Sequence, residues 1–116
     1  MTKILVVDDD VAGRNGLAEL LDSCGYAVCE AGDGCEALAL LEGGYRPSVI
    51  LLDLNMPVMN GWQFLAALDR NGTVWPPILV ISAACDHRPL PQSVVAVFPK
   101  PFDFELLSRT IESIAA

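Results

Sequence analysis

The stretch Val49-Ile50-Leu51-Leu52-Asp53 does most to narrow what this chain can fold into. An unbroken apolar run ends in a single carboxylate, and a loop with Pro57 and Gly61 follows. A short apolar run bounded by turn residues suits a strand buried on both faces. A carboxylate at the end of such a strand either caps the next helix or meets a ligand. A second run of the same design, Ile4-Leu5-Val6-Val7 into Asp8-Asp9-Asp10, weighs toward a ligand.

The rest of the chain alternates such runs with segments of helical period. Leu17, Leu20 and Leu21 mark one face of a first helix, with Asp10 as its cap and Gly25 as its stop. Tyr26 to Glu30 reads as a second strand. After the turn at Asp33-Gly34, Ala37, Leu38 and Leu41 line a second helix that Gly43-Gly44 closes. The opening stretch is the third strand. Trp62, Phe64, Leu65 and Leu68 give a third helix, ended by Asn71-Gly72. Ile78 to Ile81 is a fourth strand ending at Ser82, and Val94 to Phe98 is a fifth. Asp103 caps a last helix with Leu106, Leu107, Ile111 and Ile114 inward. This alternation, without internal repeats, is the sequence form of an α/β domain whose parallel sheet is covered on both faces. Ligands of such sheets sit beyond the carboxyl ends of the strands. Asp8, Asp9, Asp53, Ser82 and Lys100 all fall on that edge.

Composition limits what the edge can serve. At 116 residues the chain is expected to form one domain, 1–116. A formal net charge of -8 sets it against phosphate backbones, so no direct nucleic-acid partner is expected. No apolar run approaches membrane-spanning length, and Lys3 is followed by too short an apolar segment for a signal peptide, so the expectation is a cytoplasmic domain with no membrane partner. The cysteines, Cys24, Cys29, Cys35 and Cys85, form no Cys-x-x-Cys pair and read as small buried hydrophobes in a reducing compartment. Zinc through the first three matches no common spacing. His87, between Asp86 and Arg88, reads as a surface loop residue. The only lysines are Lys3 and Lys100.

If Asp8, Asp9 and Asp53 converge, each pair repels by roughly 3 kcal/mol at about 5 Å and an effective dielectric near 20. Such a cluster raises its own pKa values or recruits a cation. Oxygen ligands with no nearby histidine or cysteine favour Mg²⁺. Lys100 adds a fixed positive charge and Ser82 a hydroxyl. Cation, ammonium and hydroxyl around one carboxylate make a clamp for a transferring phosphoryl group, with the carboxylate as nucleophile.

At these residues the chain resembles a response-regulator receiver domain, the phospho-accepting half of two-component signalling. Four segments carry the resemblance: the run into Asp8-Asp9, the run Ile50 to Pro57 with Met59 and Gly61, Ile81-Ser82-Ala83, and Lys100-Pro101-Phe102. The resemblance implies a flavodoxin-like doubly wound five-stranded sheet of order 2-1-3-4-5. It implies Asp53 as phosphoacceptor, with Lys100 and Ser82 binding phosphoryl oxygens. It implies Mg²⁺, for which Mn²⁺ can substitute, held by Asp9, by Asp8 mainly through water, by Asp53 and by the Asn55 backbone carbonyl. The Lys100–Pro101 peptide is expected to be cis. Asn55 and Ala84 occupy positions that tune the lifetime of the phosphate, and small Ala83 leaves the site open. The implied partners are a sensor histidine kinase or histidine phosphotransfer protein and a downstream effector protein. The implied role is a receiver that assists its own phosphorylation and dephosphorylation, not a turnover enzyme.

Three departures from the family pattern cluster together. The interval from Ser82 to Lys100 is short and holds Pro89 and Pro91, so the helix between the fourth and fifth strands is expected to be shortened or absent. Val97 stands three residues before the lysine, where the family places an aromatic ring; Phe98 is adjacent but faces the other way along a strand. Pro99 ends the fifth strand, which an edge strand tolerates. Two rival functions fit less well. A Mg²⁺-dependent aspartyl-phosphate hydrolase typically carries an Asp-x-Asp pair and a capping insertion, whereas Asn55 stands at that spacing here. A degenerate receiver that binds partners without phosphorylation does not need the intact acids and lysine.

Overall fold

A computed structural model describes residues 2–70, 75–83 and 89–115. Five strands and four helices follow one another along them, in alternation except between the fourth and fifth strands. The strands are β1 (Lys3–Val7), β2 (Ala27–Ala31), β3 (Val49–Leu52), β4 (Ile78–Ser82) and β5 (Val94–Pro99). The helices are α1 (Val11–Ser23), α2 (Gly34–Glu42), α3 (Gly61–Arg70) and α4 (Phe104–Ala115). All strand pairs are parallel, in the order β2-β1-β3-β4-β5. This is the doubly wound, flavodoxin-like sheet, and its carboxyl edge gathers the ends of β1, β3, β4 and β5.

Continuous apolar runs put β1, β3 and β4 in the centre, where both faces are buried. Alternate residues divide the core in two. Leu5, Val7, Ile50, Leu52, Ile78 and Val80 pack with Leu41 of α2 and Phe64, Leu65 and Leu68 of α3. Ile4, Val6, Val49, Leu51, Leu79 and Ile81 pack with Leu17 and Leu21 of α1 and Leu107 and Ile111 of α4.

β5 sits at the edge, as Pro99 requires, and pairs only with β4. Between β4 and β5 no helix is present among the described residues, in line with the prolines there; residues 84–88 lie outside the description. On β5, Val95 and Val97 are exposed. Val97 is 54 % exposed, while Phe98 is 6 % exposed and belongs to the α1/α4 core.

Several local expectations are corrected. Leu20 and Leu106 are exposed; Ala18 joins Leu17 and Leu21 in the stripe of α1, and α4 buries Leu107 and Ile111. A 3.6-residue period leaves room for only one residue of each adjacent leucine pair to face the sheet fully. Cys24 and Cys35 are exposed and Cys29 is half-buried, because Cys24 caps the end of α1 and Cys35 lies on the outer side of the first turn of α2. Asp10 stands at the N-cap of α1, but its side chain makes no capping hydrogen bond. Its carbonyl instead accepts from the Arg14 N–H at 2.8 Å. Asp33 and Asp103 do cap their helices, accepting from Glu36 N at 2.9 Å and Glu105 N at 2.9 Å. The end of α3 at Asn71-Gly72, and Ala84, Cys85 and His87, lie outside the described residues.

Candidate functional site

Backbone hydrogen bonds bring the strand ends together. Asp53 N–H donates to the Val7 carbonyl at 2.9 Å, Asp8 N–H to Ala31 at 3.1 Å, and Lys100 N–H to Ser82 at 3.1 Å. Each ladder bond carries one functional side chain onto the carboxyl edge. Asp8, Asp9 and Asp53 converge there, each offering an oxygen within 4.8 Å of the others.

Asp53 is 7 % exposed, Asp8 half-buried and Asp9 exposed, so the cluster opens outward from a buried acid. Lys100 Nζ lies 3.3 Å from Asp8 Oδ2 and 3.4 Å from Asp53 Oδ2, bridging the two carboxylates. Burial pushes the Asp53 carboxyl above the ordinary carboxylate range; Asn55 N–H and Lys100 pull it down, and Asp8 pushes it up again. Lys100 is itself held above its ordinary value: burial opposes its charge, but Asp53 and Asp8 outweigh that. The Lys100–Pro101 peptide is cis, as the resemblance implies.

Asn55 donates its N–H to Asp53 Oδ1 at 3.1 Å and its side-chain amide to Ser82 Oγ at 3.4 Å. Ser82 is buried at the end of β4, on the same edge. Two glycines allow the loop after Asp53 to close. A Cβ on Gly61 would stand 2.7 Å from Leu54 Cα and 2.9 Å from the Asp53 carbonyl. One on Gly34 would stand 2.9 Å from the Met59 carbonyl, which accepts the Gly34 N–H at 3.1 Å. The loop is therefore pinned to the start of both α2 and α3.

Oxygen donors from Asp8, Asp9 and Asp53 on an open edge fit a small hard cation that keeps part of its water shell. The histidine and cysteine ligands that would favour zinc are missing from this cluster. A cavity of about 280 Å³ includes Asp8, Asp53 and Lys100 in its lining, with Val6, Leu51 and Ile81.

All six residues expected at the site thus lie on one edge: the three acids, Lys100, Ser82 and Asn55. Arg14 was not among them. Its Nη1 donates to the Asp8 carbonyl at 2.8 Å and its Nε to Glu30 Oε1 at 3.1 Å. A signal was available, since a cation in the first turn of a helix opposes the helix dipole and so points to a partner elsewhere.

The protein-family model of the response regulator receiver domain matches residues 4–112. Response regulator MprA of a Mycobacterium species is 40% identical over 112 residues, which are 92% of this chain and 48% of that protein. A protein-glutamate methylesterase/protein-glutamine glutaminase of Rhodospirillum rubrum is 44% identical over 85 residues, 72% of this chain and 22% of that protein. The chain thus spans about half, or less, of the length of these curated relatives. Among solved structures, the chemotaxis protein CheY4 of Vibrio cholerae superposes with a TM-score of 0.82 at 33% identity, covering 98% of both chains. The response regulator TrrA of Thermotoga maritima, in complex with Mg²⁺ and BeF, gives 0.85 at 28% identity, covering 98% of this chain and 99% of that one.

Proposed function

Because the chain belongs to the response regulator receiver domain family, we propose that residues 1–116 form one receiver in which Asp53 accepts the phosphoryl group. The observation that carries this reading is the bridge from Lys100 to Asp8 and Asp53 within a cluster of three acids on the carboxyl edge.

The donor is a phosphohistidine on a sensor histidine kinase or histidine phosphotransfer protein. An Asp53 carboxylate oxygen attacks phosphorus; the O–P bond forms as the P–N bond to imidazole breaks, and the electron pair leaves with the imidazole nitrogen, which then takes up a proton. The ionised carboxylate is the nucleophile, and the neighbouring ammonium and Asn55 N–H favour that form against burial. Lys100, already between Asp8 and Asp53, has its charge where a phosphoryl oxygen on Asp53 would come. Ser82 Oγ, close to the Asn55 amide, is placed to donate to a second such oxygen.

Asp9, Asp8 through water, Asp53 and the Asn55 carbonyl would hold Mg²⁺, with Mn²⁺ as substitute. When bound, the cation offsets the charge on the phosphoryl oxygens. The chain takes part in its own phosphorylation and dephosphorylation and is not a turnover enzyme. Its output goes to an effector protein. Among the described residues no helix is long and apolar enough to cross a membrane. The cytoplasmic location rests on the proposed exchange with a histidine kinase.

The readout differs from the family pattern. Val97, at the position of the family's aromatic ring, is exposed, and Phe98 is locked in the α1/α4 core. These placements support a readout that does not use a ring swinging in behind Ser82.

The test is incubation with Mg²⁺ and acetyl phosphate followed by intact mass. A labile phosphoryl adduct is expected, absent in Asp53→Asn and blocked by EDTA. No adduct from acetyl phosphate or from a phosphorylated histidine donor would overturn the reading.

A further inference from the structure

We infer that Arg14 is a positioning residue for the acids of the cation site, acting through the peptide that joins Asp8 to Asp9. The inference rests on the reading of Asp9 and Asp53 as metal ligands and adds a residue that touches neither the cation nor the phosphoryl group.

The Asp8 carbonyl and the Asp9 N–H belong to one rigid peptide plane. Arg14 Nη1 holds that carbonyl at 2.8 Å, and the Ala31 carbonyl holds the Asp8 N–H at 3.1 Å. Asp9 is the most exposed of the three acids and leaves the sheet at this point, so its direction depends on that plane. The guanidinium is in turn fixed from its other side, where Nε meets Glu30 Oε1 at 3.1 Å on β2. Gly32 makes room for it: a Cβ there would stand 3.2 Å from Arg14 Nη1. The planar fork of arginine spans a carbonyl just past the end of β1 and a carboxylate on β2 at once, which an ammonium does not. Glu30 also balances the arginine charge, so the pair orients the acids without placing an uncompensated cation beside them.

The test titrates Mg²⁺ into the full chain by calorimetry, alongside adduct formation from acetyl phosphate as a function of Mg²⁺ concentration. Arg14→Met/Glu30→Gln, which removes the pair without changing net charge, is expected to weaken Mg²⁺ about tenfold, the lower end of what loss of a ligand-orienting partner costs. The Mg²⁺ concentration at half-maximal phosphorylation should rise by the same factor, with the rate at saturating Mg²⁺ near wild type. Arg14→Lys, which preserves charge and fold more closely, should shift both in the same direction by less. Lower thermal stability with unchanged Mg²⁺ affinity in both variants would reduce Arg14 to a structural tie and overturn the proposal. Asp9→Asn separates the two readings. If it loses Mg²⁺ while both arginine variants bind normally, only the role of Arg14 falls; if it binds like wild type, the reading of the acids falls and takes this one with it.

Discussion

Lys100 N–H donates to the Ser82 carbonyl at 3.1 Å, so the ammonium and the hydroxyl of the site hang from one hydrogen bond between the ends of β5 and β4. The bond lies just beyond Pro99, the last residue of β5. From there the lysine side chain crosses the edge to Asp8 and Asp53. The spacing between hydroxyl and ammonium is thus set by sheet pairing and not by the divergent segment that joins the two strands.

Lys100→Met should slow phosphorylation of Asp53 by acetyl phosphate about a hundredfold, the cost of losing one preorganised donor to a developing charge. The fold should survive at a cost of about 3 kcal/mol, because Lys100 is partly solvated but its loss leaves the buried Asp53 without its cation. The rate of mass-adduct formation gives the first quantity and urea unfolding the second. An unchanged rate would remove Lys100 from the mechanism.

The Asp53 carboxyl sits above its ordinary value because it is buried. A carboxyl whose pKa is higher folded than unfolded binds its proton more tightly in the native state. Its ionisation therefore costs stability at neutral pH, and the cost is relieved as pH falls through the folded pKa toward the unfolded one. Asp53→Asn should accordingly be more stable than wild type at pH 7 in EDTA. The difference should shrink on acidification and vanish below the unfolded carboxylate pKa. Lys100, raised by its acidic neighbours, stays charged over this range and does not mask the trend. Unfolding curves of both proteins from neutral to acid pH test it; a gap that holds constant with pH would contradict it.

Val58 has φ 66 and is 80 % exposed in the loop that carries Asn55 and Met59. A left-handed conformation is costly for a β-branched residue and tolerable for asparagine. Val58→Asn should stabilise the protein by about 1 kcal/mol. Val58→Gly should gain less, because glycine also frees the unfolded chain. Paired urea melts decide it, and a destabilised asparagine variant would show that the valine side chain holds the loop by some other contact.

The sequence was legible where one physical demand dominated. Ile4 to Val7, Val49 to Leu52 and Ile78 to Ile81 are apolar without a break because central parallel strands bury both faces, and the acids that end the first two runs therefore stood out as candidate ligands. Val97 and Phe98 were readable for the same reason: a period of two sends neighbours to opposite faces. Leu20 and Leu106 were misread because hydrophobicity alone does not say which of two adjacent leucines faces the sheet. The charge of Asp10 suggested a side-chain cap, yet the helix start is satisfied at its backbone. The place of Arg14 in the first turn of α1 hinted at a partner, but which partner, like the contact between Gly34 and Met59, depends on distances across elements that no local pattern encodes.

Two glycine-to-alanine changes should act with opposite sign. Gly16 lies in the exposed part of α1, and nothing stands within 4 Å of where its Cβ would go. Alanine there costs no contact and removes the entropic penalty of glycine in a helix, so Gly16→Ala should stabilise by about 0.5–1 kcal/mol. Gly61 lies in the first turn of α3 against the backbone of Leu54 and the Asp53 carbonyl, both closer than 3.0 Å to a built Cβ. Backbone atoms do not yield as a flexible side chain does, so Gly61→Ala must push α3 away from the end of β3. That should cost about 1–3 kcal/mol, the usual penalty of overpacking. Because the displaced carbonyl belongs to the proposed phosphoacceptor, the Gly61 variant should also accept phosphate from acetyl phosphate more slowly, whereas the Gly16 variant should match wild type. Equal stability and equal rates in the two variants would mean that the close approach of α3 to Asp53 does not constrain the site.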